Sequence, residues 1–244
     1  MMQSPYYIRS THSTNALLRE MIRSKNIDEG FMLYTDFQTA GKGQSGNSWE
    51  SEDGKNLLFS ILLKPQHIQI EKIFIISKLT SVAIKEVLDT YTSDITIKWP
   101  NDIYWKDKKI AGILIENSFL AYHINTCMIG IGLNINQIKF RSNAPNPVSL
   151  KHILAKSFQR KPILDKIQRK ITEFYSDMDY DLINQKYFKS QYRKNDYYSY
   201  LDVSSQQTFL AKIIEIQNDG KLVLQTKSGE FKEYYFKEVQ YCND

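Results

Sequence analysis

Apolar side chains recur along this chain in two rhythms. In residues 13–24, Leu17, Leu18, Met21 and Ile22 share one helical face, and Ser13 or Thr14 is placed to cap the first turn. Residues 71–91 repeat the helical spacing through Ile73, Ile76, Leu79, Ala83 and Val87. The runs 31–38 and 56–63 are short, dense in apolar residues and of strand length. Strand character continues through 96–105, 109–117 and 125–136, with a charged turn at Asp107 and Lys108. Helical spacing returns over 149–158 and 162–179, after a PNP break at 145–147. Beyond residue 190 the pattern shifts to three short strands, 208–216, 221–226 and 230–239. Asp219-Gly220 suits the first tight turn between them, because glycine accepts positive φ. The pattern predicts an α+β fold with a small C-terminal β-barrel. The boundary falls near residue 188, giving a main domain of 1–188 and a barrel of 189–244.

Glycine placement adds a second signal. The chain has only ten glycines in 244 residues, below the roughly 7% of ordinary usage. Gly41, Gly43 and Gly46 cluster within six residues, while Gly112, Gly130 and Gly132 interrupt strands. Glycine weakens a strand interior, so its use there marks either a bulge or close approach of a ligand to the backbone. The clustering favours a ligand, and all three tryptophans, Trp49, Trp99 and Trp105, lie in the same half.

Composition excludes several classes. Apolar residues make up 42% and charged residues 24% of the chain, ordinary for a globular protein. No run approaches the ~18 apolar residues of a membrane span, and the first ten residues lack an apolar signal core. Cys127 and Cys242 lie far apart, and the four histidines are scattered, so neither a zinc site nor a disulfide framework is expected. A reducing cytoplasm is the simple reading. The net charge of +5 is spread along the chain and is weak grounds for nucleic-acid binding.

Four segments in order carry more specific information: STN at 13–15, FQTAGKGQSGNSW at 37–49, KWPNDIYWKDKKIAGILIE at 98–116 and GIGLNIN at 130–136. Together they resemble the catalytic domain of biotin–protein ligases, over roughly residues 8–140, and the small C-terminal barrel fits the same family. The resemblance implies a mixed sheet with helices of the class II synthetase kind and an SH3-like C-terminal barrel. It implies ATP and biotin as substrates, Mg²⁺, and a biotin carboxyl carrier domain as acceptor. The implied reaction forms biotinyl-5′-adenylate and then passes biotin to a lysine of the carrier.

That chemistry brings two anions together, a carboxylate and the α-phosphate of ATP. The site must therefore supply fixed positive charge and oriented donors. A unit charge pair at ~4 Å is worth about 4 kcal/mol at an effective dielectric of 20. Lys42, Lys98 and Lys109 lie in the motifs, and the resemblance gives Lys109 the leading catalytic role, with Lys42 and Asp102 beside it. It assigns biotin contacts to Ser13, Thr14, Asn15, Gln38, Lys42, Gly43, Gln44, Lys109 and Gly112. It assigns nucleotide contacts to Gly41, Gly43, Gly46, Trp49, Lys98, Asn101 and Asn134, with Trp49 stacking on adenine. Asp102 is the candidate for holding Mg²⁺ or for taking a proton from the incoming amine, and the sequence leaves both open. Pro100 holds Trp99 extended and withdraws one ladder donor.

The glycine loop departs from the family's usual GRGRxG. It reads GKGQSG, so Lys42 keeps the charge without arginine's planar fork, and Gln44 offers a neutral donor. Ser13 and Thr14 also suit a plain helix cap, and Asn134 a strand-end turn. A lipoate–protein ligase shares the fold and the adenylate chemistry, but has less use for Ser13, Thr14 and Gln38. A basic nucleic-acid-binding protein is the alternative of a different class. The STN motif begins too near the start for a DNA-binding domain ahead of it, so no operator binding is expected. A non-catalytic biotin binder is the third alternative.

Overall fold

The computed structural model describes residues 4–142 and 146–242, with Ser45 described by its backbone alone. The PNP break therefore lies partly outside the described residues. Strands β1 (Tyr6–Thr11), β2 (Met32–Gln38), β3 (Leu57–Leu63), β4 (Ile95–Lys98), β5 (Asp102–Trp105), β6 (Lys108–Leu120) and β7 (His123–Leu133) form one sheet. Its order is β1-β2-β3-β7-β6-β5-β4. The β1–β2 pair is parallel, and the others are antiparallel, so the sheet is mixed as the resemblance implied. A second, antiparallel sheet has the order β11-β10-β9-β8-β12. It comprises β8 (Tyr198–Asp202), β9 (Gln207–Ile216), β10 (Leu222–Thr226), β11 (Phe231–Tyr234) and β12 (Val239–Tyr241).

The two faces of the large sheet have different jobs. Phe59, Ile61, Ile113, Ile129 and Ile131 turn to one face and join the main core. Helices α2 (Ile75–Asp89), α4 (Arg160–Asp177) and α5 (Tyr180–Lys189) supply Leu79, Ile84, Ile167, Ile171 and Tyr187 to that core. Each such buried aliphatic side chain contributes roughly 1.5–3 kcal/mol. On the opposite face, α1 (Thr14–Ser24) covers one end, packing Leu18 on Leu33, Leu62 and Met128. The middle of that face carries Gly130 and Gly132, whose missing side chains leave room for side chains from outside the sheet, Asn15 and Trp49. A short helix, α3 (Leu150–Leu154), follows β7 and is capped by the Ser149 hydroxyl, which accepts from the His152 amide.

The small sheet shares the main core. Tyr200, Ile216, Leu222 and Leu224 belong to the same apolar cluster as α2. Its second hairpin turn, between β9 and β10, docks at Gly220 (φ +93°), where a Cβ would lie 2.6 Å from the Phe74 ring. The Trp99 indole N–H donates to the Gly220 carbonyl at 2.8 Å. Trp99 is thus a packing residue joining the two sheets. Three elements escape the sequence pattern, β1, α5 and β8, and two runs read as single strands each fold as two: 96–105 as β4 and β5, and 230–239 as β11 and the start of β12.

Lys78 pins the same junction. It is 2% exposed on α2, and its ammonium donates to Asn184 Oδ1 and the Ile216 carbonyl, each at 2.8 Å. Burial pushes its pKa down to about 8, against weaker opposing pulls from Glu215 and Asp219. An unfolded lysine titrates near 10.4. Below about pH 8 the folded chain bears the full cost of holding a buried charge. Between pH 8 and 10.4 the unfolded chain binds more protons than the folded one, so stability rises with pH. The gain is on the order of 3 kcal/mol at most. Urea unfolding from pH 7 to 10 should show wild type gaining on Lys78→Met across pH 8–10. Parallel curves for the two proteins would refute the buried-charge account.

Candidate functional site

Register builds the site. Ser60 of β3, Gly130 of β7 and Leu114 of β6 pair in one row, and Leu58, Gly132, Gly112 and Asp102 pair in the next. Both rows look onto the face that α1 leaves open. Glycine at 112, 130 and 132 leaves a floor of bare backbone there.

A β-bulge completes the floor's edge. Ile103 pairs with Ala111 but Tyr104 pairs with Lys109, so Ile110 is an extra residue on β6. The bulge sends Ile110 into the core at 0% exposure and turns Lys109 onto the glycine face. The Lys109 ammonium then lies 2.7 Å from Asp102 Oδ1. The Lys109 backbone is held from outside the sheet: its N–H donates to the Asn146 carbonyl, and its carbonyl accepts from Val148, both at 2.9 Å.

The glycine loop arches over this floor. The Gly43 N–H donates to the Asn47 carbonyl at 2.7 Å and the Trp49 N–H to the Gly41 carbonyl at 2.9 Å, closing a tight turn. A Cβ at Gly41 would strike the Trp49 carbonyl at 2.6 Å, which is why glycine stands there. The Trp49 ring lies on the floor: a Cβ on Gly132 would fall 2.3 Å from its Cε2, and one on Gly112 3.0 Å from its Cζ3. Lys109 stands 5.7 Å from the Trp49 ring centroid, a cation–π contact. The floor glycines therefore admit a protein side chain, Trp49, as well as any ligand.

Beside Trp49 a cavity of about 50 Å³ remains, lined by Ser13, Thr14, Gln38, Lys42, Gly43, Gln44, Asn101, Asp102 and Lys109 among others. That is far below the ~300–1,000 Å³ of sites for drug-sized ligands. A bulky ligand enters only if Trp49 and its loop move. Two buried polar atoms on this loop lack a hydrogen-bond partner, Gln44 Oε1 and Trp49 Nε1. Unpaired buried polar atoms are costly, and both stand where a ligand could satisfy them. Glu50 fixes the loop's exit. Its carboxylate accepts from the Arg141 and Ser142 amides, at 2.9 and 2.6 Å, and from Gln137 Nε2 at 3.1 Å. Burial pushes the Glu50 pKa up, but these donors outweigh it and hold the carboxyl below its usual value.

The structure sorts the expected residues. Ser13 is 3% exposed, lines the cavity and makes no side-chain cap bond. Gln38 caps the helix instead, its Oε1 accepting from the Thr14 amide at 2.7 Å and the Thr14 hydroxyl at 3.1 Å. Asn15 lines the wall, but its amide is committed to protein. Its Oδ1 accepts from Ser60, and its Nδ2 donates to Glu116 and to the Leu114 carbonyl. Asn101 lines the cavity while bonding the Ile113 carbonyl at 2.6 Å. Gly41 and Gly46 shape the loop without lining the cavity, Gly46 through its φ of +89°.

Two more residues expected to contact the nucleotide lie outside this cavity. Lys98 does not line this cavity. It sits among the rings of Tyr104, Tyr192 and Tyr241, at 4.8, 5.7 and 4.9 Å. Asn134 also stands outside the lining, 3% exposed, with its backbone bonded to Ile110 and Leu150 and its Oδ1 unpaired. Among the described residues no group of three or more His, Cys, Asp or Glu could hold a metal. Asp102 offers one carboxylate. That fits Mg²⁺ arriving on substrate phosphates, which needs one or two carboxylates, and does not fit an all-protein cage. The sequence missed Glu50 and the capping role of Gln38, because each acts through a partner distant in the chain.

The model of the Biotin/lipoate A/B protein ligase family matches residues 7–136. The chain belongs to this family. The matched span holds every strand and loop that forms the cavity. Among curated relatives, the bifunctional ligase/repressor BirA of Bacillus spizizenii is 27% identical over 226 residues, 90% of this chain and 68% of that protein. Biotin–protein ligase 2 of Arabidopsis thaliana is 30% identical, over 75% of this chain and 54% of that protein. The solved biotin protein ligase of Aquifex aeolicus, in complex with biotin and ATP, superposes with a TM-score of 0.81 at 25% identity. That match covers 98% of this chain and all of the other.

The seat of Trp49 gives a direct test. In Gly132→Ala the new methyl evicts the ring, with overpacking worth about 1–3 kcal/mol. Trp49 emission should shift to the red and become more open to acrylamide quenching, with far-UV circular dichroism unchanged. Unaltered emission would show that Trp49 does not rest on Gly132.

Proposed function

We propose that this protein is a biotin–protein ligase that forms biotinyl-5′-adenylate from biotin and MgATP and transfers biotin to a lysine of a biotin carboxyl carrier domain. The observation that carries the reading is one cavity with a small polar end and a cationic end. Ser13, Thr14 and Gln38 stand at the first, and Lys109, Lys42 and the loop amides at the second. Biotin's ureido ring, with two N–H donors and one carbonyl, suits the first. Its carboxylate and the α-phosphate suit the second. The ligase names of the relatives, and the biotin and ATP in the Aquifex aeolicus structure, support the same substrates.

In this reading Lys109 offsets the charge that builds as the carboxylate attacks the α-phosphate. Asp102, 2.7 Å away, keeps the ammonium over the glycine floor. Lys42 and the amides of the 41–46 loop add donors around the phosphate. Trp49 lifts from the floor and stacks on adenine, its vacated place becoming ligand space. In the transfer step a lysine amine of the carrier attacks the mixed anhydride, AMP leaves, and Asp102 is placed to take the amine's proton. Mg²⁺, brought in on ATP, would find Asp102 as its protein ligand and would neutralise phosphate charge. The domain of 1–188 holds the chemistry, and the small sheet within 189–244, from Tyr198 to Tyr241, braces it. A lipoate ligase of the same fold gains less from the polar end.

The deciding experiment is mass spectrometry of a carrier domain incubated with the protein and MgATP, plus either biotin or lipoate. A mass gain of one biotin, dependent on ATP, is expected. Gain with lipoate alone would replace the reading. Lys109→Ala should lower adenylate formation by at least about 100-fold, the size of losing a charge-stabilising donor, and near-normal turnover would remove its role. Gln44→Arg should lengthen the measured lifetime of the enzyme-bound adenylate, since it restores a planar two-pronged donor. An unchanged lifetime would show that Gln44 does not limit retention.

A further inference from the structure

The glycine loop leaves β2 after Gln38 and rejoins the sheet at β3, so its two feet stand on neighbouring strands. A polar chain joins those feet. At the exit, Glu50 follows Trp49 directly, and its carboxylate accepts from the Arg141 and Ser142 amides and from Gln137 Nε2. Gln137 is fully buried. Its Oε1 accepts from Asn56 Nδ2 at 2.6 Å and from the Glu52 amide at 2.9 Å, and its Nε2 also donates to the Lys139 carbonyl. Asn56 is equally buried, and its Oδ1 accepts the Ile135 amide at 3.0 Å. Arg160, at the start of α4, bridges the two feet. It donates to the Asn56 carbonyl at 3.0 Å and to Asp36 Oδ1 of β2 at 2.6 Å. The run after β7 is itself moored, because the Asn136 side chain exchanges two 2.9 Å bonds with the Phe158 backbone.

A buried polar network with every member satisfied is rigid and admits one arrangement, whereas an unsatisfied one is costly and ready to rearrange. Both kinds meet in this loop. Gln137 uses both its oxygen and its nitrogen twice. At the loop's centre Gln44 Oε1 and Trp49 Nε1 have no partner. The boundary between the two falls at the peptide joining Trp49 to Glu50. We propose that Glu50 and Gln137 are positioning residues that make the loop's exit a hinge, so that Trp49 swings along one path between its seat on Gly132 and a bound nucleotide. On the ligase reading above, on which this inference rests, they act on ATP binding and leave bond making to Lys109. Freed from this post, the loop spreads over many open arrangements. Apparent affinity then falls with the fraction of molecules still poised to close.

The test reads the loop and the reaction separately, on the full chain. Without ligand, the Gly43 and Trp49 amides should exchange with deuterium at least about 10-fold faster in Glu50→Ala, the size of losing hydrogen bonds to a charged acceptor. Gln137→Met should speed the same two amides, although Gln137 bonds to neither residue. In steady state, Glu50→Ala should raise the KM for ATP at least about 10-fold, on the same grounds. Its kcat at saturating ATP should change less than about twofold, below the size of one net hydrogen bond. Glu50→Gln keeps an acceptor oxygen for the 141 and 142 amides and should recover most of the ATP KM. It is also the milder variant should the alanine protein fail to fold. Unchanged exchange at Gly43 and Trp49, or equal ATP KM in wild type and Glu50→Ala, would overturn the hinge. So would a fall in kcat with KM unchanged, which would place Glu50 in the reaction itself. Exchange needs no turnover, so a wild type that shows the exchange pattern but forms no adenylate would sink the ligase reading instead.

Discussion

One extra residue in β6 decides what this surface can do. Side chains alternate across a sheet, so a one-residue change of register exchanges the two faces. The bulge at Ile110 makes that exchange locally. On one side of it Lys109 faces the glycines. On the other, Ala111 and Ile113 face the core, both nearly inaccessible. Without the bulge Ile110 would stand beside Asp102 and Lys109 would point into the apolar layer. The bulged strand is also clamped from outside the sheet by Asn146 and Val148. The position of the ammonium thus rests on backbone hydrogen bonds and not on a flexible side chain alone.

The bare floor depends on the same register. Gly130 accepts the Asn15 amide, and Gly132 accepts the Trp49 ring, at distances that would leave no room for a Cβ. Asn15 ties α1 to β3 and β6, and Gln38 caps α1 from β2, so the polar end of the cavity is rigid. Glu50 fixes the far end of the glycine loop, whereas Gln44 Oε1 and Trp49 Nε1 are left without partners. The loop is therefore anchored at its exit and unsatisfied at its centre, an arrangement suited to opening about a fixed end. A buried junction through Lys78 and Trp99 fastens the second sheet beneath this arrangement.

The Biotin/lipoate A/B protein ligase family accounts for the ordered motifs, and the geometry gives each a physical reason. The lysine of KIAGILIE is turned onto the glycine face by the bulge at Ile110. The second glycine of GIGLNIN carries a tryptophan and the first an asparagine. The asparagine of KWPND locks a turn to Ile113. The departure from the family's usual basic loop is visible as well. Gln44 stands at the cavity with an oxygen that finds no donor within the chain.

The chain's own pattern determined most elements. Runs with dense apolar character or full helical periodicity, such as 56–63 and 71–91, fold as their spacing predicts, because their burial is already written in their composition. Elements with little burial of their own were invisible. β1 exposes most of its residues and exists through parallel pairing with β2. α5 buries only Ile183 and Tyr187, too few for a periodic signal. The motifs likewise fixed which residues are rich in chemistry, but not where each points. Lys98 and Lys109 read alike in sequence, as lysines beside a strand. Only the register and the bulge, formed between segments distant in the chain, send one onto the glycine floor and the other among the tyrosines. A side chain's direction depends on which partner strand it meets, and that is a property of the folded sheet.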